Sequence, residues 1–220
     1  HELSFEVSSG ERFGLIGPDG AGKTTLFRIL TTLLLPDSGT ARLAGFDLFE
    51  DYRSIRSIIG YMPGAFSLYH DLTVRENLEF FATVFGVRIK DHYELIEEIY
   101  SQLQPFEDRR AGDLSGGMKQ KLALCCALIH KPEVMLLDEP TTGVDPVSRK
   151  DFWDILKSLK EFDITILVST PYMDEAARCE RIALIQEGNI LSVDTPEHTR
   201  NAFTRNLYRI NSDRDMYTLL

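Results

Sequence analysis

"RFGLIGPDGAGKTTLFRILTTLL", Arg12 to Leu34, changes its periodicity twice within one short passage. "RFGLIG" (12–17) is apolar and reads as a short strand. From Lys23 onward the apolar positions Leu26, Ile29, Leu30, Leu33 and Leu34 recur at helical spacing, and "PDSG" (36–39) is expected to end that helix. Between strand and helix lie Gly17, Pro18, Asp19, Gly20, Ala21, Gly22, Lys23 and Thr24, which fit G-x-x-x-x-G-K-[ST] in the context that motif requires. Its glycines let the backbone curl so that successive N–H groups point at phosphate oxygens, and the helix start adds the positive end of its dipole. Lys23 can then reach terminal phosphates, and the Thr24 hydroxyl suits Mg²⁺.

A second strand supplies the partner groups. "VMLLDEP" (134–140) is a continuous apolar run of the kind buried on both faces in parallel sheets, and it carries Asp138 and Glu139 at its carboxyl tip. A buried carboxylate needs a partner, and a Mg²⁺–phosphate neighbour would provide one for Asp138. Glu139 is placed to orient or deprotonate a water as a general base.

The rest of the chain alternates strands and helices at both ends. "TARLAGFDL" and "IIGYM" read as strands. "LTVRENLEFFATVFG" opens with Thr73 as N-cap and Glu76 three residues on, a capping box, and ends at Gly86. "DHYELIEEIYSQL" reads as a helix, and another follows "LSGG". Asp145 and Pro146 form the N-cap and first residue of a helix with Phe152, Ile155, Leu156 and Leu159 on one face. "RIALIQEGNILSVD" (181–194) reads as a hairpin turning at Gly188. This order predicts an α/β fold: a mainly parallel sheet core over 1–69 and 116–200, with an inserted helical lobe over 70–115. The opening text is strand-like, so an earlier strand is expected upstream; residues 201–220 carry no readable motif and are left as a tail or the start of another domain.

Composition narrows the setting. Of 220 residues, 43% are hydrophobic and 26% charged, as expected of a chain that buries a core. Lys and Arg number 24 against 34 Asp and Glu, a net charge of −10 that argues against nucleic acid as a partner. No apolar run approaches the roughly 20 residues of a membrane span. Cys125, Cys126 and Cys179 look like small core residues, and a reducing cytosolic setting fits them.

"LSGGMKQKLALCCAL" places Ser115, Gly116 and Gly117 at a helix start, where small residues and free N–H groups make an anion site. Between the phosphate loop and "LLDEPTTGVDP", this stretch makes residues 1–200 resemble the ATP-binding domain of an ABC (ATP-binding cassette) transporter. The resemblance implies a P-loop NTPase (RecA-like) core whose helical lobe carries the LSGG signature. It implies that two such domains dimerise head to tail, each ATP lying between one domain's Gly17–Thr25 loop and the other's Ser115–Gly117. Asp138 and Thr24 would serve the metal, Glu139 catalysis, and Asp145 the dimer loop. The implied cofactors are ATP and Mg²⁺, and the implied partners are a second ATP-binding domain and transmembrane permease subunits. The chain would sit on the cytoplasmic face of the membrane. "GYMP", "LYHDLTVRENLEF" and "STPYMDEAARCERIALIQEGNI" look like the drug-exporter and ABC-2-type export subfamily, and "PDGAGKTT" is most similar to the first half of its tandem-domain members. The interval from Lys23 to Ser115 is too short for the coiled coil of the chromosome-maintenance relatives. In the family, "MPGAFSLYHDLTV" would press on the membrane partner, with Phe66, Leu68 and Tyr69 as contacts or as local packing. The adenine-stacking aromatic would lie upstream, leaving Phe5 and Phe13 to the core.

Two positions depart from the family's pattern. Gly64 in "YMPGAFSLY" stands where a glutamine is usual. Ile164 to Val168 is an apolar, β-branched run that suits a buried strand, and after Ser169 and Thr170 at its tip Pro171 stands where a histidine usually contacts the γ-phosphate. Proline has no side-chain donor and no backbone N–H. Binding relies on the backbone and Lys23, all retained. Hydrolysis relies on donors that act as charge develops, and losing one costs about 3–4 kcal/mol, or about 10²–10³ in rate. Two readings follow: an asymmetric pair in which this site clamps ATP while its LSGG completes the hydrolysing site of the partner, or an ordinary site in which Ser169 or Thr170 replaces the missing donor. Alternative functions are a soluble ATPase acting on ribosomes or DNA, and a nucleotide-sensing module that does not hydrolyse.

Overall fold

The computed structural model describes residues 3–65 and 67–202. In chain order its elements are β1 (Arg12–Ile16), α1 (Lys23–Leu30), β2 (Arg42–Leu43), β3 (Phe46–Asp47), α2 (Tyr52–Ile58), β4 (Ile59–Met62), α3 (Val74–Phe85) and α4 (Tyr93–Leu103). They continue with α5 (Gly116–Leu128), β5 (Val134–Asp138), α6 (Pro146–Ser158), β6 (Thr165–Thr170), α7 (Met173–Ala176), β7 (Arg181–Gln186), β8 (Asn189–Asp194) and α8 (Pro196–Asn201). A six-stranded sheet runs in the order β4-β5-β6-β1-β7-β8, parallel except for the β7–β8 hairpin. The expected α/β class and mainly parallel sheet are therefore present.

The parallel part of the sheet is largely buried on both faces, whereas β8 is exposed or half-buried, and the two-residue period of the strands sorts the core. Met135, Leu137, Ile166 and Val168 join the helices of the lobe and α6 on one face. Leu136, Leu167, Phe13 and Leu15 join Phe27 of α1 and Ile55 of α2 on the other. Helix α5 lies between sheet and lobe and is buried from Leu122 to Leu128. Through it, Val74, Leu78, Ile96 and Ile99 of the lobe share one continuous cluster with the strands. Cys125, Cys126 and Cys179 are buried and free, and burial raises each thiol above its usual range, so they are packing residues.

Local chemistry sets the boundaries. Thr73 and Glu76 form the expected capping box, with Glu76 N–H on Thr73 Oγ1 at 3.1 Å and Thr73 N–H on Glu76 Oε2 at 2.8 Å. Gly86 ends α3 at φ 67°. The hairpin turns through Glu187 and Gly188, at φ 49° and 74°, the paired positive φ of a type I′ turn.

The structure corrects several local expectations. Helix α1 stops at Leu30, well before "PDSG", because Thr32 adopts φ 60°. Leu33 N–H bonds Arg28 O at 2.8 Å and Thr32 N–H bonds Ile29 O at 2.9 Å, a Schellman termination. Leu33 and Leu34 therefore lie outside the helix and are 64% and 44% exposed rather than in the core. "TARLAGFDL" yields only the short β2–β3 pair, separate from the main sheet. Residues 3–8 form no strand, although Phe5 stacks on Phe13 with centroids 5.5 Å apart, which makes both packing residues. Leu68 is buried core. Phe66 and residues 203–220, most of the expected tail, lie outside the described residues.

Gly117 and Gly116 are neighbours with different constraints. A Cβ at Gly117 would stand 2.6 Å from Ser148 Oγ and 2.7 Å from its Cβ, whereas one at Gly116 meets only Gly143 O, at 3.9 Å. Gly117→Ala is expected to destabilise the fold by about 1–3 kcal/mol, the usual cost of overpacking, and Gly116→Ala to leave it within about 0.5 kcal/mol. Urea denaturation of the two variants checks this, and equal midpoints would refute the α5–α6 contact as the reason.

Candidate functional site

The site lies at the carboxyl ends of β1, β5 and β6, where ligands of open α/β sheets bind. After Ile16 the chain curls through Gly20 at φ 78° and Gly22 at φ 104° into α1. A Cβ at Gly17 would fall 2.2 Å from Ile185 O, so only glycine lets the loop pass this close to β7. Gly17 N–H bonds Thr170 O at 3.4 Å, and Gly188 N–H bonds Ala21 O at 3.0 Å, which fasten the loop to β6 and to the hairpin turn. Pro18, Asp19, Gly20 and Thr25 are exposed, while Thr24 is half-buried.

Lys23 is 3% exposed. Its Nζ donates to Gly17 O at 2.8 Å and Pro18 O at 3.0 Å and pairs with Glu139 Oε1 at 3.1 Å. An ammonium this deeply buried is tolerable only because all these groups face it. Glu139 takes φ 49°, rare for a residue with a side chain, and its N–H is shared between Ser169 O and Ser169 Oγ, at 3.1 and 3.0 Å. Its other carboxylate oxygen accepts from the Thr142 hydroxyl at 3.3 Å.

Asp138 is 2% exposed, and its Oδ1 accepts from the Ser169 hydroxyl at 2.5 Å. This was not read in the sequence: a serine at the tip of β6 already partners the carboxylate. Burial, and then the charge of Asp138, raises the Tyr61 phenol above its usual range. Among the described residues no group of three or more His, Cys, Asp or Glu could enclose a metal. Mg²⁺ is commonly held by one or two protein oxygens together with phosphate oxygens, and Thr24 and Asp138 are hard donors of that kind.

Gly64 and Pro171 both border this cluster. A Cβ at Gly64 would stand 3.0 Å from Asp138 O and 3.8 Å from Glu139 Cβ. Pro171 is half-buried, directly after Thr170. The Thr170 hydroxyl donates to Glu175 Oε2 at 2.5 Å and accepts the Tyr172 N–H at 3.1 Å.

Ser115, Gly116, Gly117 and Asp145 come together elsewhere. Ser115 caps α5 by accepting Met118 N–H at 3.4 Å, and Gly116 and Gly117 abut Gly143 and Ser148 around the start of α6. Asp145 caps α6, accepting Ser148 N–H at 3.0 Å and Val147 N–H at 3.1 Å; these bonds, Ser148 first, hold its carboxyl below the usual range. Ser115, Gly116 and Asp145 are exposed, so this face is open to a second molecule.

Glu175 and Arg149 were missed in the sequence. Nothing in "MDEAA" distinguishes the buried Glu175, 1% exposed, from its exposed neighbour Asp174. Among the described residues no helix is long and apolar enough to cross a membrane.

Comparison with known proteins bears on the family and the fold. Residues 1–142 match the family model described as ABC transporter. The chain is 46% identical over 198 residues to the probable multidrug ABC transporter ATP-binding protein YbhF of Escherichia coli K12, covering 89% of this chain and 34% of that protein. It is 42% identical over 197 residues to the Nod factor export ATP-binding protein I of Burkholderia lata, covering 88% and 65%. Thus it spans only part of either relative. Among solved structures, an ATP-binding subunit of an ABC transporter has a TM-score of 0.81 at 27% identity, covering 92% of this chain and 85% of that one. The dimeric post-hydrolysis state of the ATP-binding cassette MJ0796, bound to ADP and Pi, has a TM-score of 0.77 at 25% identity, covering 88% and 89%. With a family model matched across more than half of its length, this chain belongs to the ABC transporter family.

Proposed function

We propose that this chain is the ATP-binding cassette of an export system, binding ATP on the Gly17–Thr25 loop and working as a head-to-tail pair with a second cassette. The observation that carries the reading is the buried Lys23 ammonium, held between the loop carbonyls and Glu139. A triphosphate offers that ammonium a stronger, charged acceptor than two neutral carbonyls. As Lys23 turns to the phosphates, Glu139 loses its cation and becomes a free base at the strand tip, ready to orient a water. Mg²⁺ bound with the nucleotide supplies charge neutralisation at the terminal phosphates, and Thr24 and Asp138 are the residues to hold it. The exposed face with Ser115, Gly116 and Asp145 fits the role of completing the second cassette's site.

The export and multidrug names of the relatives favour a membrane partner over ribosomes or DNA. The peripheral position on the cytoplasmic face follows from the same reading. Between β4 and the lobe lies a groove of about 380 Å³ lined by Tyr61, Met62, Leu68, Phe81, Phe85 and His130. It opens where "MPGAFSLYHDLTV" joins core and lobe, and we assign it to a cytoplasmic segment of the permease. Tyr69, 50% exposed and edge-on to Phe80 at 4.7 Å, is the aromatic nearest to that role.

The pair is asymmetric. Pro171 presents no donor to a γ-phosphate, and Gly64 presents no side chain. The hydroxyls that would substitute are occupied, Ser169 by Asp138 and Thr170 by Glu175. This favours a site that holds ATP and hydrolyses it slowly, beside a partner site that turns over.

Titration of the full-length protein with Mg²⁺-ATP should show saturable binding, and Lys23→Ala should weaken it at least about tenfold, the loss of one charge-assisted contact; absence of saturable uptake by the folded wild-type protein would refute the assignment. In the intact assembly, Glu139→Gln should lower turnover only slightly, whereas the same change in the second cassette should lower it by about 10²-fold or more. Equal loss from both would show a symmetric pair. Pro171→His should raise single-turnover hydrolysis at this site at least about tenfold. Gly64→Gln is the weaker test, because its Cβ must displace the Asp138 carbonyl by a few tenths of an ångström.

A further inference from the structure

Behind the phosphate loop a charged side chain is buried with no role in the chemistry so far described. Glu175 of α7 is 1% exposed. Its Oε1 accepts from the Thr141 hydroxyl and its Oε2 from the Thr170 hydroxyl, both at 2.5 Å, and both threonines are also 1% exposed. Arg149 of α6 approaches with Nε 3.7 Å from Oε1, while its guanidinium lies over the Tyr172 ring at 4.5 Å. That Nε has no hydrogen-bond partner of its own, so it serves the carboxylate as a nearby charge. A buried carboxylate is costly unless several groups hold it, and here every group that does so belongs to a segment bordering the site.

The two threonines lead to different halves of the machinery. Thr170 accepts Gly17 N–H on its carbonyl at 3.4 Å, at the first residue of the phosphate loop. Its hydroxyl also accepts Tyr172 N–H, which pins the turn at Pro171. Thr141 accepts Val144 N–H on its carbonyl at 3.1 Å, closing the turn that presents Asp145. Glu139 lies in the same segment, two residues before Thr141. One carboxylate therefore spans the gap between the phosphate loop and the exposed dimer loop.

We propose that Glu175 is a positioning residue that couples the phosphate loop to the Asp145 loop, so that the geometry of this chain's ATP site is transmitted to the site it completes on the second cassette. The inference rests on the head-to-tail reading given above. Two short hydrogen bonds to one carboxylate set the separation of the loops beyond the β5–β6 pairing and the Glu139 N–H on Ser169. A shift of about 1 Å in a reacting group costs on the order of 10²-fold in rate, with little effect on binding made elsewhere. The network meets the phosphate loop at the Gly17 N–H, on the Thr170 carbonyl, while Lys23 bonds the Gly17 and Pro18 carbonyls and Glu139, so the main ATP contacts are separable from it.

The test compares Glu175→Gln, Thr141→Val and Thr141→Ser in the intact transporter assembly, reading ATP dissociation constant, kcat, KM and thermal midpoint. Glu175→Gln keeps the shape of the side chain and removes the charge; Thr141→Val removes one hydroxyl at nearly constant volume. Each is expected to lower kcat about tenfold or more with the ATP dissociation constant within about twofold of wild type. Thr141→Ser, which restores the hydroxyl, should recover most of the turnover. Thr141→Val combined with Glu175→Gln should be no slower than the worse single variant, because both break one connection. The proposal is overturned if Glu175→Gln turns over like wild type. It is equally overturned if the loss follows a fall in thermal midpoint or in ATP affinity, or if Thr141→Ser is as slow as Thr141→Val. Failure of the wild-type assembly to bind ATP would instead overturn the functional reading itself, and this inference with it.

Discussion

One buried ammonium organises the carboxyl end of the sheet. Lys23 is almost wholly removed from water, and an unpaired cation there would cost several kcal/mol, so the surrounding chain has to be shaped to meet it. Gly17 and Pro18 must turn their carbonyls inward, and β5 must end with Glu139 within reach of Nζ. Gly17 can do this only without a side chain, since the loop runs against the Ile185 carbonyl of β7. Glu139 in turn needs φ 49°, a conformation that costs of order 1 kcal/mol and is held by its N–H on Ser169. The ends of β1, β5, β6 and β7 thus meet in close contacts at one point, and a phosphate group entering there meets a cation already in place.

Much of this was legible in the sequence, and the legible part has a common character. Gly22, Gly86, Gly188, Thr73 with Glu76, and Asp145 with Pro146 each satisfy a backbone requirement that few other residues meet. Such requirements are local, so a short stretch of sequence suffices to expose them. The failures were tertiary. Leu33 and Leu34 continue a helical spacing, yet Thr32 ends the helix with a left-handed residue that is neither glycine nor asparagine, and both leucines face outward. Helix α5 is covered on all sides from Leu122 to Leu128, so its apolar residues there give no stripe from which to infer a partner. Ser169 and Glu175 act through residues more than thirty positions away, Asp138 and Thr141, and only the assembled sheet brings these together.

The same distinction bears on the two departures at the site. Pro171 and Gly64 could be read from the sequence as missing side chains, but whether neighbours replace them is a question of which hydroxyls are free. Ser169 lies beside Asp138 and Thr170 beside Glu175, each donating at 2.5 Å to a carboxylate that is buried and needs it. To serve a phosphate, either hydroxyl would have to give up a bond to a buried carboxylate, so the gain of one new hydrogen bond is offset by the loss of another. On the proposed asymmetric reading, the carboxylates that shape the strand tips compete with a phosphate for these hydroxyls.

This places the two halves of the cassette in a definite physical relation. The phosphate loop is fastened to β6 and to the β7–β8 turn; the Ser115 and Asp145 face is fastened to α5 and α6. The turn from Glu139 to Asp145 joins the two halves; it is short, with Thr141 and Val144 buried and Thr142, Gly143 and Asp145 exposed. A carboxylate bonded to both sides adds a second connection between them without contributing any group to the reaction. On this view a cassette whose own hydrolysis is weakened still has a reason to keep its phosphate loop and the buried network behind it intact. Bound ATP would set the position of the loop offered to the neighbouring site, and the chemistry there would depend on how firmly Glu175 carries that position across.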